Sequence, residues 1–183
     1  MKGRVIEVDL SQDGIKTLQR ELDDYQKWIE RKTKELAKRL AQMGVEKASV
    51  NFGSALYDGI NDASVTVEQK GASEYVVKAN GASVLFIELG TGVHYPDAPL
   101  GEYQGAEGMT HGSYGKGLGN NDYWWYTGQP GNAGGAPATD PITGYVHPNS
   151  TITHGNPPNM PMYNAVKELE QEFAKVVMEV FAE

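Results

Sequence analysis

The sequence predicts an α+β domain: a small antiparallel sheet packed by a long N-terminal and a C-terminal amphipathic helix, with a long irregular insertion before the second helix. Three observations carry this expectation. Apolar residues recur at three- and four-residue steps near both ends, and they alternate with period two in the middle. Over 93–160 they give way to glycine, proline, asparagine and threonine. A chain of 183 residues holds one core-forming domain and is short for two.

The first element spans 11–44. It lacks proline, and Ile15, Leu18, Leu22, Tyr25, Ile29, Leu36, Leu40 and Met43 form one stripe opposite Lys, Arg, Glu and Asp. Ser11 suits the N-cap and Gly44 the C-terminal stop. The β region covers 45–92. Ala48 to Phe52 is expected as a short strand. Ser64–Gln69 alternates, with Val65 and Val67 on one face, and Glu74–Ala79 is rich in β-formers. Lys70-Gly71-Ala72-Ser73 makes the two a hairpin. Asn80-Gly81 turns the chain again. The apolar run Val84–Leu89 is short enough for a strand or for one and a half turns of helix. The insertion 93–160 reads as a loop without regular structure, folding back on something through Tyr123, Trp124, Trp125 and Tyr126. The last helix, 161–183, opens on Pro161 and repeats helical spacing at Met162, Val166, Leu169, Phe173, Val176, Val177 and Val180.

Composition excludes several classes. No run reaches the roughly 18 apolar residues of a membrane span, and the N-terminus lacks the apolar core of a secretory signal. The absence of cysteine removes disulfides and thiolate metal sites, and suits a reducing cytoplasm. A formal charge of −8 opposes binding that neutralises phosphates, but it would serve a wall past which DNA slides.

The candidate chemistry is sparse. Gly90-Thr91-Gly92 lacks the Lys of a phosphate loop and runs into Pro96, so it reads as a turn or a close approach of chains. Glu88 ends an apolar run and must find donors. The expected ones are the N–H groups of the following Gly-Thr-Gly turn, or those of a neighbouring chain. His94, His111, His147 and His154 lie near Asp97, Glu102, Glu107 and Asp140, which raises a metal only as an alternative to solvated histidines. The aromatic cluster invites a sugar-stacking reading, with Glu102 and Glu107 as the acids of a glycan hydrolase. The plainer reading anchors those rings on the protein's own core or on a neighbouring subunit. No GxSxG elbow is present. The expectation is therefore a non-enzyme without cofactor or metal.

The order of the pieces resembles a family of tailed-bacteriophage neck proteins, the head–tail joining or tail-completion group. The resemblance rests on Phe86-Ile87-Glu88-Leu89-Gly90-Thr91-Gly92 and Trp124-Trp125-Tyr126, then on Thr153-His154-Gly155, Pro158 and Pro161-Met162-Tyr163-Asn164-Ala165. It covers the chain in outline, with Leu89 in place of the usual aromatic and a longer loop. The resemblance implies a structural virion protein of the neck, assembled in the host cytoplasm. It implies a homo-oligomeric ring, hexameric or else dodecameric, that contacts a head-side connector or stopper, the tail terminator and the tail tube. Genome DNA would pass through its lumen without sequence-specific binding. A tail terminator or tail-tube subunit is the nearest alternative.

Overall fold

The computed structural model describes residues 7–9, 11–91, 123–131, 136–140, 142–153 and 155–182. Eight elements follow in order: α1 (Gln12–Ser54), β1 (Ser64–Gln69), β2 (Tyr75–Asn80), α2 (Val84–Leu89), β3 (Trp124–Thr127), β4 (Ala136–Thr139), β5 (Val146–Thr153) and α3 (Pro161–Ala182). The class is α+β, as the sequence predicts.

Ser11 caps α1, its hydroxyl accepting the Gly14 N–H at 3.1 Å. The helix does not stop at Gly44. It runs on to Ser54, and Ala48 to Phe52, expected as a strand, form its last turns. The reason is packing. Ala41, Gly44, Ala48 and Phe52 make a buried stripe, and a Cβ added at Gly44 would stand 3.3 Å from Val77 Cγ2 and 3.4 Å from Leu169 Cδ1. Glycine inside a helix costs about 1 kcal/mol relative to alanine. Here it lets both the hairpin and α3 approach, and full burial of Phe52 alone returns about 1.5–3 kcal/mol.

β1 and β2 form the expected hairpin, in register from Ser64–Asn80 to Gln69–Tyr75. The run Val84–Leu89 is helical. Its Ile87 joins Phe52 and Ala55 in the core, with Val65, Ala79, Val84 and Met162 packed around them. α3 starts at Pro161 and runs antiparallel to α1. Asn51 Nδ2 donates to the Pro161 carbonyl and to Glu168, Lys47 binds Glu168 and Glu172, and Arg39 meets Glu179. Its buried face is Pro161, Ala165, Val176 and Val180. Val166 and Phe173, expected on that face, lie exposed, and the contact with α1 at Gly44 falls to Leu169.

The insertion is more ordered than its composition suggests. Three of its segments pair as a second antiparallel sheet in the order β3-β5-β4. Pro137 is tolerated because β4 is an edge strand. Pro148 and Asn149 (φ 59°) fall where the β4–β5 register shifts, so the missing N–H breaks no ladder. Gly92 and the other residues of 92–122 lie outside the described residues.

Candidate functional site

The motif residues converge on a polar clasp that joins α2, the start of α3 and the linker after α1. The clasp begins at Glu88, which is buried. The first helical bond of α3 runs from Asn164 N–H to the Met160 carbonyl. Met160 therefore occupies the cap position, with no side-chain oxygen to offer. Glu88 supplies one from another element: its carboxylate accepts the Met162 N–H at 2.9 Å and the Tyr163 N–H at 3.1 Å. These are orphan donors at the positive end of the helix dipole, where a carboxylate is worth most. These donors belong to the start of α3, which the sequence reading did not name, and the Gly92 N–H of the Gly-Thr-Gly turn lies outside the described residues. The chain leaves α2 through Gly90 at φ 72°.

Gly90 is a close-approach glycine. A Cβ there would stand 2.6 Å from Pro158 N and 2.8 Å from the Asn156 carbonyl. The next residue, Thr91, pairs with Asn156 in an isolated antiparallel bridge, with N–H···O distances of 2.9 and 3.1 Å. Thr91 Oγ1 also accepts from Asn156 Nδ2, and Asn156 Oδ1 accepts the Asp58 N–H at 2.6 Å. Asn159 extends the clasp, taking the Leu56 N–H and donating to the Leu56 carbonyl, both at 2.9 Å. Met160 is held at φ 52° while its N–H donates to the Glu88 carbonyl. A non-glycine residue in that region costs roughly 1–2 kcal/mol, so the surrounding bonds must impose it. The sequence reasoning missed Asp58, Asn156 and Asn159. The Asn156-Pro157-Pro158-Asn159 pattern was a signal for the two asparagines, and none pointed to Asp58.

β3 shows how the aromatic cluster is divided. Alternation along the strand sends Tyr126 inward and Trp125 outward. The Tyr126 hydroxyl donates to the Asp58 carbonyl, and burial raises its pKa above the usual phenol value, which keeps it a donor. Trp125 is 47 % exposed and stacks on His147 at 5.4 Å, while Tyr145, 60 % exposed, meets the same imidazole edge-on at 5.1 Å. The Trp124 backbone pairs with Thr153. Behind Tyr126 a half-open cleft of about 340 Å³ is lined by Tyr57, Asp58, Ile60, Phe86, Tyr126 and Thr153, among others. Asp58 Oδ1 is buried beside it without a hydrogen-bond partner among the described residues.

His147 is thus an aromatic spacer. Asp140 is occupied by a turn, accepting the Ile142 and Thr143 N–H groups at 2.8 Å each, with the Thr143 bond the main cause of its lowered pKa. The described residues bring no group of three or more His, Asp or Glu to metal-binding geometry. His94, His111, His154, Asp97, Glu102 and Glu107 lie outside the described residues. Of the expected motif residues, Phe86, Glu88, Gly90, Thr91, Pro161 and Met162 come together at the clasp and its adjoining cleft, and Trp125 stands apart on the outer face. No protein-family model, curated protein or solved structure matches the chain.

Proposed function

We propose that this chain is a structural subunit of the head–tail interface of a tailed bacteriophage, working as one copy in a ring and doing no bond-breaking. The observation that carries the reading is the division of β3. Tyr126 fixes the second sheet to the body, and Trp125, Tyr145 and Val146 are left uncovered outside it. Indole and phenol rings immobilised in this way lose little entropy on contact, so they favour protein–protein interfaces. The acidic balance suits a lumen that must not hold DNA. The resemblance noted in the sequence then suggests which assembly the ring belongs to. The test is a Trp125→Ala/Tyr145→Ala double variant in the particle that encodes the chain. It should melt as the parent does and yield at least tenfold fewer joined, tailed particles by electron microscopy. Normal yields would dismiss the reading. Subunit-resolution images of intact particles would separate a neck ring from a terminator or tube subunit.

The same exposed Trp125 also favours a second reading, a glycan-stacking module. Retention on insoluble cell-wall glycan that disappears with Trp125→Ala would support it, and no retention would remove it.

A further inference from the structure

α1 is longer than the described elements that pack on it. At about 1.5 Å per residue its 43 residues reach about 65 Å, against about 33 Å for the 22 residues of α3. The C-terminal end of α1 lies beside the start of α3 where Asn51 meets Pro161, so the N-terminal part of α1 overhangs the end of α3 by about 30 Å. Phe181, next to the end of α3, packs edge-on against Trp28 at 5.6 Å. Ile29 beside it and Ile15, Leu22 and Tyr25 beyond it are between 39 and 51 % exposed. The spacing of the stripe is specific. Ile15, Leu18, Leu22, Tyr25, Ile29, Lys32 and Leu36 alternate three- and four-residue steps without interruption. That is the 3.5-residue period of a supercoiled helix seam.

We infer that this overhang pairs with the same segment of a second copy, as a parallel two-stranded coiled coil. On the heptad grid the a positions are Ile15, Leu22 and Ile29, and the d positions Leu18 and Tyr25. Two of the three a positions, Ile15 and Ile29, are β-branched and Leu18 stands at d, the pairing that favours two parallel strands. The outermost positions are Arg20, Lys27 and Lys34, which belong in water. A parallel pair sets Glu21 of each helix against Gln26 of the other, a contact without like-charge conflict. The seam ends at Lys32, which is buried and bonded to Glu35 at 3.4 Å, at the level where the chain's own fold takes over. The inference names a contact for the self-assembly proposed above, yet it rests on the helix alone. Two-fold pairing fits a ring with an even number of copies.

The chain has no cysteine, so single-cysteine variants report cleanly. Under mild oxidation Leu18→Cys and Leu22→Cys should cross-link to disulfide dimers, and Lys27→Cys, on the outer face, should not. By light scattering the parent should move from 19.9 kDa toward twice that mass as concentration rises into the hundreds of micromolar. Leu18→Asp/Leu22→Asp should weaken dimerisation at least tenfold, and its α3 amides should keep their hydrogen-exchange protection. A parent that stays monomeric throughout, a double variant that dimerises normally, or equal cross-linking at Lys27→Cys overturns the seam. Dimers that cross-link at neither Leu18→Cys nor Leu22→Cys overturn the parallel arrangement. Rings that form undisturbed in the double variant would sink this inference and leave the ring reading standing.

Discussion

Glu88 shows what one carboxylate does when the residue at a helix cap cannot do it. Met160 holds the cap position of α3 without an acceptor, so two N–H groups of the first turn are served from a residue more than seventy positions upstream. Glu88→Gln can satisfy only one of them and sets its own NH2 against the other. The loss should be about 2–3 kcal/mol, the scale of a buried bond to a charged group. For a chain of this size that lowers Tm by roughly 4–10 °C. Thermal denaturation of the two proteins measures it, and an unchanged melting point would deny Glu88 the capping role. That Glu88 needs donors was legible in the sequence, since a carboxylate ends an apolar run. Which donors was not, because they arrive from α3 through a chain reversal that no local pattern encodes.

At the scale of elements, local chemistry was legible where it was self-contained. The hairpin follows from β-branched alternation and the Gly71 turn, and α1 begins at Ser11 because its hydroxyl finds the Gly14 N–H. The end of α1 was not legible. Gly44 carries a stop signal by itself, and only the arrival of Val77 and Leu169 makes it an interior contact. The second sheet was hidden for a related reason: its strands are four to eight residues long, and β4 and β5 contain prolines that edge and bulge positions excuse. The start of α2 is held by Asp62, which accepts the Ala82 N–H at 2.8 Å and the Ser83 N–H at 2.9 Å, together with the Ser83 hydroxyl. The Ser83 hydroxyl is the largest of the bonds that pull the Asp62 pKa from 3.8 to about 2. A carboxylate depressed in the folded state contributes stability that is complete above its unfolded value and lost as pH falls through the folded one. Stability should therefore decline between about pH 4 and pH 2, and Asp62→Asn should flatten that part of the curve while lowering the plateau above it. Urea midpoints at pH 5, 3.5 and 2.5 for both proteins test the sign. A variant whose acid limb matches the parent's would exclude Asp62 from it.

The whole molecule is two bodies of unequal cohesion. α1, α3, α2 and the hairpin share one apolar core, whereas among the described residues no strand of the second sheet packs broadly on a helix or on the hairpin. That sheet is tied down by hydrogen bonds instead: Thr91 to Asn156, and the Tyr126 hydroxyl and Gly131 N–H to the Asp58 carbonyl. Polar tethers give little net stability each, about 0.5–1.5 kcal/mol, so the sheet should open without unfolding the helices. Asn156 sits at the centre of the tethers, bonded to Thr91 on one side and Asp58 on the other. Asn156→Ala should speed amide exchange at Thr127, Gly128 and Thr151 by tenfold or more. The amides of Ala48 and Val176, in the helical core, should exchange at parental rates. Exchange that rises equally in both regions would mean the molecule opens as one unit, and the clasp would then be part of the core rather than a hinge beside it.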